Sequence, residues 1–85
     1  MKTIHKTELL PGINRLLISQ ESTFLHIGIQ DNRIMLWYIT YTIMPREDRT
    51  ISLVGTGFDI SKIGTEKYIG TVIDLEGYVW HAFEV

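Results

Sequence analysis

Between positions 33 and 42 the chain alternates with period two, and both resulting faces carry bulk. Met35, Trp37, Ile39 and Tyr41 fall on one face; Ile34, Leu36, Tyr38 and Thr40 fall on the other. This period belongs to a β-strand, because successive side chains point to opposite sides of a pleated backbone. A strand apolar on both faces is either covered on both sides or meets a partner on one of them. The preceding residues 24–30 also alternate, with Leu25, Ile27 and Ile29 opposite Phe24, His26, Gly28 and Gln30. Asp31-Asn32 lies between the two runs, and both residue types tolerate the positive φ of a two-residue hairpin turn. A β-hairpin is therefore the firmest local expectation.

The rest of the chain follows the same rule. Residues 3–9 read as a strand ending at the turn signal Pro11-Gly12. Residues 13–18 fit strand or helical spacing, and the β surroundings favour a strand. Met44-Pro45-Arg46-Glu47-Asp48-Arg49 reads as a polar connector with room for one helical turn. Residues 50–54 read as a strand entering Gly55-Thr56-Gly57, and residues 58–67 as a loop with Asp59, Ser61 and Gly64. Residues 67–73 and 78–85 form a second hairpin around Leu75-Glu76-Gly77. The terminal run Tyr78-Val79-Trp80-His81-Ala82-Phe83-Glu84-Val85 is too apolar to leave in water, so it is expected to be built into a sheet. The expected fold is mainly β: one small antiparallel sandwich or barrel-like sheet over residues 1–85, built from hairpins, with at most one short helix.

At 85 residues the chain is one domain, with about 4–10 kcal/mol of stability on per-residue scaling. It has no cysteine, so neither a disulfide framework nor a thiolate zinc site is available. Core packing, or a core shared between copies, must hold it together. The net charge is −2 and the basic residues are scattered, which excludes the usual footprint of a DNA- or RNA-polymer binder. No apolar run approaches a membrane span, and the start carries no signal-peptide core, so the cytoplasm is the expected location.

Few residues suggest chemistry. Gly55 and Gly57 could let backbone amides approach an anion, with Thr56 adding a hydroxyl and Lys62 a charge. The dinucleotide fingerprint is incomplete, since Ile60 stands where its third glycine belongs, and no phosphate-loop tail follows. A bulge or tight bend is the simpler reading of that turn. Asp59 beside Phe58 is the carboxylate best placed for function, against the plainer reading of an Asx turn. His5, His26 and His81 show no metal-ligand spacing, so no metal and no cofactor are expected. His81 reads as a core or interface histidine bonded to a backbone carbonyl. No acid–base or nucleophile constellation is visible, which points away from an enzyme. Trp37 and Trp80 are expected to pack inside, one from each hairpin. The faces shared by Trp37, Tyr38, Tyr78 and Trp80 are candidates for an interface.

Several stretches carry a family resemblance. They are Lys2-Thr3-Ile4-His5-Lys6, Leu25-His26-Ile27-Gly28-Ile29-Gln30, Leu36-Trp37, Val54-Gly55-Thr56-Gly57, Tyr68-Ile69-Gly70-Thr71-Val72, and Val79-Trp80-His81-Ala82-Phe83-Glu84-Val85. In this order they resemble a family of short phage- and prophage-encoded proteins with no assigned function. The resemblance implies a phage origin and action in the host bacterial cytoplasm; it carries over no catalytic residue. Small accessory phage proteins often counter host defence. The expectation is thus a non-enzymatic, homo-oligomeric binding protein that captures a small nucleotide-like immune signal. Its ligand site would be Gly55, Thr56, Gly57, Phe58, Asp59 and Lys62. The alternative is a protein–protein inhibitor of a host defence protein or enzyme, or a virion-assembly accessory.

Overall fold

Alternation carries through into seven strands and no helix: β1 (Lys2–Glu8), β2 (Gly12–Ser19), β3 (Thr23–Gln30), β4 (Arg33–Tyr41), β5 (Arg46–Gly55), β6 (Lys67–Ile73) and β7 (Val79–Glu84). The computed structural model describes the whole chain, Met1–Val85. The strands form two antiparallel sheets, a three-stranded one in the order β1-β4-β3 and a four-stranded one in the order β2-β5-β7-β6. The sheets stack with β3 over β6. The architecture is a sandwich, since no strand closes the two sheets into a barrel.

The β3–β4 hairpin turns through Asp31 and Asn32, whose φ values of 51° and 59° are the positive pair that a two-residue turn requires. The terminal strand is built in, as its apolar pattern demanded: β7 lies inside its sheet, between β5 and β6. The core is assembled from one face of each sheet. Leu9, Ile27 and Leu36 meet Ile51, Leu53, Val72 and Ala82, with Phe24, Ile34 and Trp80 packed around them.

Three local expectations are corrected. A bulge between Phe24 and His26 breaks the alternation of β3. The extra residue turns Phe24 to the core side with Ile27 and leaves Leu25 exposed. Residues 46–49 are strand, not connector, because β2 pairs with them in continuous register from Arg46↔Ser19 to Arg49↔Leu16. Tryptophan and tyrosine exchange places on β4. Tyr38 is only 8% exposed and faces inward with Leu36, whereas Trp37 is half-buried on the outer face, stacked on His26 at 6.1 Å.

Arg49 locks one end of the sandwich. Its Nε donates to Glu84 Oε2 at 2.6 Å and its Nη2 to Oε1 at 2.8 Å, while Nη1 donates to the Ser22 carbonyl at 2.7 Å. The guanidinium also lies 4.4 Å from the Phe24 ring centroid. One side chain thus ties β5 and β7 of one sheet to the chain entering β3 of the other. A fork of donors matched to a carboxylate suits arginine, not lysine, to this position.

Candidate functional site

At its C-terminal end β5 runs into a reversal over residues 55–58. Gly57 sits at φ 92°, where a residue with a side chain is strained, and the Phe58 amide closes the turn onto the Gly55 carbonyl at 3.1 Å. Gly55 is constrained from the opposite direction. A Cβ there would lie 2.9 Å from Phe58 Cε1, so only glycine lets the phenyl ring fold back on the strand. The turn therefore fixes the position of one aromatic ring. Phe58 meets Trp80 edge to face, with centroids 5.9 Å apart at 78°.

The β6–β7 hairpin brings up the other wall. Asp74 caps it, accepting from the Glu76 and Tyr78 amides at 2.9 Å each and from Trp80 Nε1 at 3.0 Å. Those bonds, the Trp80 indole first, hold the Asp74 carboxyl below its ordinary range. The result is an apolar hollow of about 280 Å³ lined by Gly55, Thr56, Phe58, Tyr78, Val79 and Trp80. Phe58 and Tyr78 are 56% and 62% exposed, so large rings stand open to solvent here.

A second hollow adjoins it on the other side of Phe58, bordered by Val54, Ile60, His81 and Phe83. Thr56 and His81 at its edge end a chain of side-chain hydrogen bonds that runs out along β6. Tyr68 Oη lies 2.6 Å from Thr71 Oγ1, Thr71 Oγ1 lies 3.0 Å from His81 Nδ1, and His81 Nε2 lies 2.7 Å from Thr56 Oγ1. Each hydroxyl can donate or accept, so the chain can run in either direction as the imidazole changes tautomer. Thr56 and His81 are close enough for a hydroxyl and a general base. The group orienting the imidazole is a threonine, however, and a neutral hydroxyl does not stabilise an imidazolium as a buried carboxylate would.

The sequence-derived site is divided by the structure. Gly55, Thr56, Gly57 and Phe58 lie together at the hollows, and Tyr78 and Trp80 join them. Asp59 follows Phe58 and forms the Asx turn: its Oδ1 accepts from the Ser61 amide at 3.0 Å and the Ser61 hydroxyl at 2.7 Å. These two bonds, the amide first, keep its carboxyl below the ordinary range. Lys62 is exposed in the following loop and lines neither hollow. Tyr38 is buried within the subunit, and Trp37 lies on the other sheet, so neither shares this surface. The turn offers an anion one free amide rather than a converging set, because the Thr56 amide is committed to the Val79 carbonyl at 3.0 Å and the Phe58 amide to Gly55, leaving Gly57.

Tyr68, Thr71 and the side-chain partners of His81 were not foreseen. Strict alternation sends residues three apart to opposite faces. A bulge between Tyr68 and Gly70 puts Tyr68 and Thr71 on the same face, opposite Phe83 and His81 respectively. One signal was present: Thr56, Tyr68 with Thr71, and His81 come from three of the stretches that carry the family resemblance.

Fold and site together define a small two-sheet β domain bearing an aromatic hollow rimmed by hydroxyls and an imidazole. The chain belongs to the family described as a domain of unknown function, DUF7352, which matches residues 1–85. No curated protein and no solved structure matches it significantly.

Proposed function

We propose that this domain is a non-enzymatic binding protein that captures a small nucleotide-like ligand. Phe58, Tyr78 and Trp80 hold the ligand's ring, and Thr56, backed by His81 and through it by Thr71 and Tyr68, contacts its edge. The observation that carries this reading is the meeting of open aromatic rings with directional hydrogen-bonding groups at one turn. Aromatic faces bind planar bases with little demand on sequence, and a few placed polar groups fix orientation. The resemblance to phage-encoded proteins supplies the context: action in the host bacterial cytoplasm against a nucleotide-type defence signal, by a homo-oligomer whose apolar outer surface is covered by its own copies.

Calorimetry against nucleosides, cyclic dinucleotides and ADP-ribose derivatives tests it, with Phe58→Ala as the control. Binding that Phe58→Ala abolishes supports capture at this hollow. No binding across the panel, together with a monomer by light scattering, rules it out.

A second reading rests on a different surface. The outer face of the three-stranded sheet carries exposed Ile4 and Leu25 beside half-buried Trp37, Ile39 and Tyr41. A protein–protein inhibitor of a host enzyme, or an assembly accessory, would use that face. Loss of partner binding in Trp37→Ala with Phe58→Ala unaffected would favour it.

A further inference from the structure

We infer that the hollow beneath the 55–58 turn takes a single planar heterocycle bearing no phosphate, a nucleobase or nucleoside, and selects against its phosphorylated form. This rests on the capture reading above but changes its ligand, from a phosphorylated nucleotide-type signal to the unphosphorylated base or nucleoside.

Size sets the first limit. At about 280 Å³ the hollow falls just below the roughly 300–1,000 Å³ of pockets that enclose drug-sized ligands. One ring system fills this hollow, whereas a dinucleotide would have to extend beyond it. Ring geometry sets the second. Phe58 and Trp80 stand nearly perpendicular, so they form a corner in which a flat ring can stack on one and meet the edge of the other. Thr56 lines both hollows and is bonded to His81, which lines the second, so whether the Thr56 hydroxyl donates or accepts toward the ring depends on the imidazole tautomer.

Charge sets the third limit and decides against phosphate. No lysine or arginine lines either hollow. Of the three amides of the turn, those of Thr56 and Phe58 are already bonded to Val79 and Gly55, which leaves the Gly57 amide alone for an anion. Two carboxylates flank the rings instead: Asp59 follows Phe58 in the chain, and Asp74 is bonded to the Trp80 indole. Hydrogen bonds from Ser61 and from Trp80, respectively, lower the pKa of each, so both are ionised at neutral pH. A phosphate arriving with the ring would face two negative charges and no cation, with only neutral donors such as the Thr56 hydroxyl to receive it.

The test compares ligands that differ by one phosphate. Calorimetry would measure adenosine against 5′-AMP, and nicotinamide riboside against nicotinamide mononucleotide, with the full chain at low salt. The nucleoside of at least one pair is expected to bind about threefold or more tightly than its nucleotide, with the gap closing near 0.5 M salt as screening shortens the reach of the carboxylates. Asp59→Asn keeps an oxygen for Ser61 and removes the charge, so it should narrow the gap by strengthening nucleotide binding. Equal or tighter binding of the nucleotide at low salt would overturn the inference and leave capture standing. No binding of any of the four would overturn the inference, and capture itself would then be decided by the cyclic dinucleotides and ADP-ribose derivatives.

Discussion

Replacing Glu84 by glutamine should cost this domain about 2 kcal/mol at neutral pH. The carboxylate receives two bonds from Arg49, at 2.6 and 2.8 Å, while the guanidinium keeps a third to the Ser22 carbonyl. Glutamine retains one acceptor oxygen but turns an amide NH₂ toward the other guanidinium N–H. One charge-assisted bond is lost, worth about 1.5–3 kcal/mol, and two donors face each other. Both side chains keep 17% of their surface in water, which holds the cost below the roughly 3–5 kcal/mol of a fully buried broken pair. For a domain of this size about 2 kcal/mol corresponds to a fall in Tm of about 8–16 °C.

The pH dependence gives a sharper signature. The Arg49 hydrogen bond is the main cause holding the Glu84 carboxyl below its ordinary 4.5. A depressed carboxylate stabilises the fold above its unfolded pKa, and that stabilisation disappears as pH falls through the folded value. The gap between the parent chain and Glu84→Gln should therefore be full at pH 7 and shrink progressively below about 4.5. Urea unfolding followed by circular dichroism at pH 7, 5 and 3 measures it. A difference under about 0.5 kcal/mol at pH 7, ordinary for a surface substitution, would show that water compensates the pair. A difference unchanged down to pH 3 would show that its charge is irrelevant.

Further outcomes can be checked alongside. Gly57→Ala places a side chain at φ 92° and should destabilise by about 1–3 kcal/mol, read as a lower urea midpoint with unchanged slope. Deleting residues 81–85 removes most of β7 from between β5 and β6, so size-exclusion and circular dichroism should find no folded species, whereas a short tag after Val85 should be tolerated. In a Trp37→Phe background, indole emission from Trp80 should change as pH falls, with a midpoint below 3.8, because Asp74 must be protonated to release the indole N–H. A midpoint above 3.8 would mean that the bond does not form in solution.

Strand content was legible because alternation is a direct consequence of the pleat, and the Asp31-Asn32 turn because those residues tolerate the φ it needs. What alternation could not reveal were the bulges. The extra residue in β3 moves Phe24 to the core side, and the one in β6 aligns Tyr68 with Thr71. Each inverts a face assignment locally without leaving a glycine or proline at the bulged residue. The strand over residues 46–49 was hidden by its charges. Arg49 reads as a solvated connector residue until Glu84, 35 positions away, is brought beside it. Half of the site was visible as a glycine turn with an aromatic next to it. The other half depends on which hairpin tip lands against that turn, a matter of sheet order that local pattern does not encode.

Nuclear magnetic resonance of the ¹⁵N-labelled domain titrated in turn with adenosine, nicotinamide riboside, a cyclic dinucleotide and ADP-ribose would test capture at the aromatic turn most directly. Saturable shifts should concentrate at Thr56, Phe58, Tyr78 and the Trp80 and His81 rings. Shifts confined to Trp37 and its neighbours on the opposite sheet, or none with any of these ligands up to millimolar concentration, would contradict it.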